Sequence, residues 1–266
     1  MSEDPNRMRR IIGQHAETVH LMGVDWVPVR KRLANEQPAQ EVEALPNGDA
    51  AFHAVDLQKG DERAARQRRL DAVRAQYERD APHERFVTDF TNIVFGEGDP
   101  CARLMFVGEA PGADEDKTGR PFVGKAGQLL EKMINAMGLR REDVYICNVL
   151  KTRPPNNQTP TTEEARACEP YLHEQIRIVS PEVIVTLGLP ASRLLLGSSA
   201  SMGQLRGRWA AFPQEDSLAG GDDLPRIDVM PTYHPAFLLR SYTAENRRKV
   251  WSDLQQVMEK LGLGGS

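Results

Sequence analysis

From about residue 95 onward the chain alternates short, unbroken apolar runs with amphipathic stretches of helix length, and few folds accept that alternation. Arg103–Glu109 contains Leu104-Met105-Phe106-Val107 and closes on Gly108. Val144–Leu150, Val183–Leu187 and Ile227–Pro231 repeat the character. A run that is apolar at every position, rather than at every second one, predicts a strand buried on both faces, as in a parallel sheet. Between the runs, Gly124–Met137, Thr162–Val179 and Pro190–Leu196 carry helical periodicity, and Ala244–Leu261 closes the chain. Strands and helices in alternation predict an α/β fold whose parallel sheet is covered on both faces.

In open sheets of this kind, ligands bind beyond the carboxyl ends of the strands. The unusual residues of this chain fall there. Glu109-Ala110-Pro111-Gly112 follows the first strand, Asn148 ends the second, Gly188 follows the third and Tyr233-His234-Pro235 follows the fourth. The stretch after the first strand runs on through Gly119, Gly124 and Gly127 and mixes acids with basic residues. Glycines there let backbone N–H groups approach a ligand, although glycine and proline also punctuate plain turns. The spacing fits neither G-x-G-x-x-G nor G-x-x-x-x-G-K-[ST], which weakens a nucleotide-phosphate loop. Phe122 is the apolar residue of this polar stretch, either a satellite core or a stacking platform for a planar base.

Asn148 either forms a turn or offers its amide to the edge of a base. Lys151-Thr152-Arg153-Pro154-Pro155-Asn156-Asn157 is a stiff basic loop suited to a phosphate backbone, or a solvated connector. Of the six histidines, His234 is the strongest catalytic candidate, because it ends a strand and Pro235 fixes the turn after it. Phe237-Leu238-Leu239, followed by Arg240, reads either as the start of a core helix or as a wedge filling the gap left by a flipped nucleotide.

The N-terminal part has a different texture. Met8, Ile11, Ile12, His15 and Val19 predict one helix face ending near Gly23, and Val24–Val29 reads as extended. Residues 32–60 have linker chemistry. Residues 61–79 predict a charged helix with Leu70, Val73 and Tyr77 on its inner face. The N-terminal helix either covers the chain's own core or docks on a protein partner. No apolar run approaches the roughly 18 residues of a membrane span, and no signal-peptide core opens the chain, so a cytoplasmic protein is expected. The net charge of −4 does not advertise a nucleic-acid binder, but a basic footprint is a local property. The three cysteines, Cys101, Cys147 and Cys168, form no C-x-x-C, which argues against a disulfide framework or a zinc ribbon. Asp114, Glu115 and Asp116 offer a magnesium site only in a nucleotide-hydrolase reading.

Taken together, Gly108-Glu109-Ala110-Pro111-Gly112, Glu115 through Gly127, Tyr145-Ile146-Cys147-Asn148, Lys151 through Pro155 and Tyr233-His234-Pro235 resemble the uracil-DNA glycosylase superfamily, most of all its family 4. The resemblance spans roughly residues 90–260 and leaves residues 1–80 uncovered. It implies a three-layer α/β/α sandwich with a four-stranded parallel sheet. Residues 61–266 then form a uracil-DNA glycosylase-like domain preceded by an extension, 1–60. It further implies a monomeric base-excision repair enzyme that hydrolyses the N-glycosidic bond of flipped-out uracil in DNA and leaves an abasic site. A weakly active or inactive DNA-binding relative is the alternative.

By position, the resemblance has Phe122 stacking on uracil, Asn148 reading its Watson–Crick edge and His234 donating to O2. Glu109 and the backbone of Ala110 would face the attacking water. Glu115 would lie by the C5 edge, and Asn157 would be a polar neighbour of the site. Lys151, Arg153, Phe237, Leu238 and Arg240 are the expected DNA contacts.

Two departures stand out. Another branch of the superfamily has an aspartate where this chain has Ala110, which leaves the water-orienting acid open between Glu109 and Glu115. Family 4 enzymes usually hold a 4Fe–4S cluster on four cysteines, whereas here Cys168 matches the last, Thr152 replaces the third and no cysteine precedes Cys101. No cluster and no metal are therefore expected. The segment Ala81–Phe90 is expected to take the place of the missing pair, with His83, Phe86 and Phe90 packing across the gap.

Overall fold

A computed structural model describes residues 48–86, 88–213 and 226–263, with side chains described from residue 60 onward. The helix expected over Met8–Val19 and the extended stretch Val24–Val29 lie outside the described residues. The first element is a long helix, α1 (Gly48–Asp80), which starts well before the predicted Asp61. It is reinforced on its exposed side by i,i+4 pairs between Glu62 and Arg66 and between Arg74 and Glu78. Its inner side presents Leu70, Val73 and Tyr77, all buried. Arg66 donates to the Val179 carbonyl at 2.6 Å, which fixes α1 against the end of α4 (Thr162–Val179).

Six strands form one sheet in the order β1-β3-β2-β4-β6-β5. The four central ones, β2 (Leu104–Gly108), β3 (Tyr145–Asn148), β4 (Val183–Leu187) and β6 (Ile227–Thr232), are parallel and are the four apolar runs of the sequence. Two antiparallel edges enlarge the expected four-stranded sheet. They are β1 (Glu97–Gly98) beside β3 and β5 (Ala210–Phe212) beside β6, each too short to leave a periodic signal. Between β2 and β3 lie α2 (Ala113–Thr118) and α3 (Lys125–Ala136), so part of the expected long loop is helical. After β4 come α5 (Leu189–Leu196) and α6 (Met202–Leu205), and after β6 come α7 (Pro235–Arg240) and α8 (Ala244–Lys260).

The strands alternate their side chains between two cores, which makes the architecture a three-layer sandwich. Met105, Val107, Tyr145, Cys147, Ile184 and Val229 meet α1, α4 and α5 through residues such as Tyr77, Leu172 and Leu195. Leu104, Phe106, Ile146, Val185 and Met230 meet α3, α7 and α8 through Leu130, Ile134, Leu238 and Leu254. Full burial of one such large apolar side chain contributes roughly 1.5–3 kcal/mol. A two-sided core therefore holds the strand ends rigidly. Among the described residues no helix is long and apolar enough to cross a membrane.

Candidate active site

Sheet register brings the strand ends level. Gly108 pairs with Asn148, and Leu187 pairs with Thr232, so the residues that leave β2, β3, β4 and β6 emerge along one edge. Strand β2 has β3 on one side and β4 on the other, and a crevice opens at that point. It forms a cleft of about 750 Å³ whose walls include Glu109, Ala110, Phe122, Asn148, Asn157, Gly188, His234, Phe237 and Arg240. Elements distant in sequence thus converge on one cavity.

Phe122 and Asn148 meet over Gly108. Asn148 is 1% exposed and its Oδ1 has no hydrogen-bond partner in the protein. A buried acceptor left open is uncommon, and at the wall of a cleft it points to a ligand donor. Phe122, also buried, lies 5.6 Å from the His234 ring with 31° between the planes. A β-carbon at Gly108 would come within 2.3 Å of Asn148 Oδ1 and 2.5 Å of Phe122 Cζ. Glycine at this strand end is what lets the two side chains close on each other.

His234 is the residue preceding α7, and its Nδ1 accepts the Ala236 N–H at 3.0 Å. With Nδ1 engaged as an acceptor, a neutral ring carries its proton on Nε2. Burial, helped by the positive charge of Arg240, pushes the His234 pKa down to about 4. At neutral pH the side chain is therefore an uncharged Nε2–H donor. Gly188, at φ 92, faces the His234 Cβ at 3.1 Å from its own notional β-carbon, so a side chain there would crowd the histidine.

The acids separate by what they bind. Glu115 Oε1 accepts from Val123 N and Gly124 N, both at 2.8 Å, and Oε2 accepts from Gly112 N at 3.1 Å. It ties the two loops on either side of α2 together, and it also lines the cleft. Asp116 accepts from Thr91 N and Asn92 N, which takes it out of any acidic cluster. Glu109 is half-buried at the cleft wall. Burial pushes its carboxyl up, opposed by a Thr159 hydrogen bond and the Arg240 charge.

Several expected DNA contacts face elsewhere. Lys151 is fully buried, donating to the Asn148 carbonyl at 2.6 Å and to Gln175 Oε1, with the Phe95 ring at 5.4 Å. Burial pushes its ammonium down from the usual lysine range. It has no surface to offer a phosphate, because the chain turns inward after β3. Leu238 is also fully buried, in the core beneath α7, and is not a wedge. Arg153 donates to Asn157 Oδ1 at 2.8 Å and lies near Asp89, so both residues stiffen their own loop although Asn157 reaches the cleft wall. Phe237 stacks 4.7 Å from Tyr233 and lines the cleft. Arg240 is exposed there, as is Lys125 at the start of α3, and Leu239, the third residue of the expected wedge, is exposed on α7. Helical phase explains the exchange of Leu238 for Leu239, since only one of two neighbours can face the core.

The region where the resemblance to family 4 would place a metal cluster does not offer the ligands of one. Cys168 is fully buried and burial pushes its thiol up, away from the thiolate a cluster needs. The Tyr77 ring from α1 is buried here, stacked on His83 at 5.4 Å and edge-on to Tyr171 at 5.0 Å. Phe90 meets His83 edge-on at 4.8 Å, and Phe86 packs on the core. The expected packing of the Ala81–Phe90 segment is thus present, with Tyr77 as its unforeseen centre. Among the described residues no group of three or more His, Cys, Asp or Glu could hold a metal ion.

Comparison with known proteins matches this arrangement. The family model described as the uracil DNA glycosylase superfamily matches residues 95–255, which contain every cleft residue named above. A type-4 uracil-DNA glycosylase of Thermotoga maritima is 49% identical over 168 residues, covering 63% of this chain and 82% of the relative. Another, from Sulfurisphaera tokodaii, is 44% identical over 174 residues, covering 64% and 74%. A third, from Pyrobaculum aerophilum, is 46% identical over 149 residues, covering 56% and 74%. With its parallel sheet, its cleft at the strand ends and this span of similarity, the chain belongs to the uracil DNA glycosylase superfamily.

Proposed function

We propose that the protein is a uracil-DNA glycosylase that removes flipped-out uracil from DNA by hydrolysis and leaves an abasic site. One observation carries the reading. A stacking ring, an open buried amide oxygen and a neutral imidazole donor converge on one cleft. Uracil offers a flat face to Phe122, its N3–H to Asn148 Oδ1 and its O2 to His234 Nε2–H. As the glycosidic bond breaks, charge builds on O2, and a donor already in place there stabilises that charge without reorganising. A neutral imidazole serves because the base departs as an anion and needs a hydrogen bond rather than a proton. Glu109, half-buried at the cleft wall, orients the water toward the oxocarbenium-like sugar. Lys125 and Arg240 meet the phosphates, and Leu239 enters the gap in the duplex.

The chemistry is proposed to run without an iron–sulfur cluster. With three cysteines in the whole chain, four thiolate ligands are impossible, and the aromatic group around Tyr77 supports the same region by packing. Iron and sulfide analysis of the purified protein tests this, and stoichiometric iron would overturn it. The function is tested with oligonucleotides carrying uracil opposite guanine, opposite adenine and in single strands, followed by alkali cleavage at abasic sites. Cleavage is expected in the native protein and strongly reduced in Asn148→Ala and His234→Ala. An inert native protein that still binds DNA would leave only a binding module.

A further inference from the structure

Phe122 holds a backbone conformation that needs support. Its φ is 51°, in the left-handed region that non-glycine residues keep only where their surroundings over-determine it. Part of the support is steric, since a β-carbon at Gly127 would come within 1.9 Å of the Phe122 carbonyl oxygen. Glu115 holds the next two N–H groups. The carbonyls of Pro121 and Phe122 itself are both taken by one guanidinium. Arg141 donates to Phe122 O at 3.0 Å and to Pro121 O.

Arg141 is in turn held from behind. Its Nε donates to Glu97 Oε1 at 2.6 Å, and the two side chains are 17% and 23% exposed, so solvent screens the pair only in part. Arg120 closes the other side of Glu97 at 2.7 Å. Against burial, which acts to raise it, these two arginines hold the Glu97 carboxyl below its ordinary range. Glu97 belongs to β1 and lies opposite Ile146 of β3. Gly98, at φ 125, lets β1 press so close that a β-carbon there would fall 1.9 Å from the Val144 carbonyl oxygen. The two-residue edge strand therefore fixes a carboxylate relative to β3, and β3 ends in Asn148.

We propose that Arg141, anchored by Glu97, is a positioning residue that sets the Phe122 ring against Asn148 and so determines how tightly the cleft holds uracil. The inference rests on reading the cleft as a uracil site. Arginine suits the task because its planar fork serves two carbonyls and a carboxylate in fixed directions, which a lysine point charge cannot do. Neither Arg141 nor Glu97 lines the cleft.

Inhibition by free uracil is the test, measured on the native enzyme, Arg141→Met, Phe122→Ala and the double variant. Affinity for duplex containing an abasic-site analogue and the melting temperature are recorded alongside. Loss of charged hydrogen bonds to the loop is expected to weaken uracil inhibition by about 10- to 100-fold in Arg141→Met, with abasic-site affinity kept within about twofold. In the Phe122→Ala background the same substitution is expected to change nothing further. Equal weakening in both backgrounds, or none in the single variant, overturns the proposal. Should Arg141→Met fail to fold, Glu97→Gln decides: a several-fold weakening supports the anchor and unchanged inhibition refutes it. A native enzyme insensitive to uracil at any concentration instead removes the underlying reading of the cleft.

Discussion

Replacing Gly108 with alanine adds a single methyl group at the point where the two recognition side chains meet. Its carbon would lie 2.3 Å from Asn148 Oδ1 and 2.5 Å from Phe122 Cζ, both far inside contact distance. Both neighbours are side chains bordering an open cleft, so they yield by moving into it rather than by deforming the sheet. Overpacking a core costs about 1–3 kcal/mol, and here the low end is expected for stability. Recognition bears the rest. Losing the stack on Phe122, worth about 1–3 kcal/mol per base, together with the Asn148 hydrogen bonds amounts to about 3–4 kcal/mol. That corresponds to roughly a 10²- to 10³-fold fall in kcat/KM. Single-turnover cleavage of a uracil-containing single strand, run beside thermal denaturation, separates the two effects. Excision within about threefold of the native rate, in a folded Gly108→Ala protein, would refute the geometry assigned to Phe122 and Asn148.

Removing the His234 imidazole with alanine is expected to lower kcat by about 10²–10³-fold while DNA affinity stays near native, as measured by single-turnover kinetics and fluorescence anisotropy. Lys151→Met is expected to leave the salt dependence of DNA binding unchanged, whereas Arg240→Ala and Lys125→Ala each lower the slope of log K against log salt by about 1. An altered slope for Lys151→Met would place that ammonium at the surface. Stability is expected to fall with acid. His173 and His234 take up protons at about 6.5 when unfolded but only near 4 when folded, so the unfolded state binds more protons between those values. Their contribution is complete above pH 6.5 and lost toward pH 4, at most about 3 kcal/mol each. Urea denaturation of His173→Leu at several pH values checks this, and a pH slope as steep as the native one would contradict it.

The parallel core was legible because its strands are apolar at most positions on both faces, a pattern that an amphipathic helix of that length does not reproduce. Strands β1 and β5 were not, since two or three residues leave no period to read. The start of α1 was missed for a different reason. Alanine, glutamate and glutamine before residue 60 suit a linker and a helix equally, so composition does not place the start. In the cleft, Asn148 and His234 stood out at predicted strand ends, and Phe122 as the apolar residue of a polar loop. Lys151 and Leu238 misled because the direction in which a loop lysine or a helical leucine points is set by packing that the local sequence does not encode. Glu115 and Arg141 bind backbone groups, which leave no trace in residue type, and Glu97 binds two arginines distant in sequence.

The central claim is that this cleft expels uracil as a free base. The direct measurement is free uracil released from an oligonucleotide carrying a single deoxyuridine, quantified by mass spectrometry. Matched strands carrying thymine or cytosine are measured in parallel, and the iron content of the same preparation is determined. Release of one uracil per abasic site, none from the matched strands, by an iron-free protein is the predicted result. Abasic sites without free uracil, or no release at concentrations where the DNA is bound, would contradict the account.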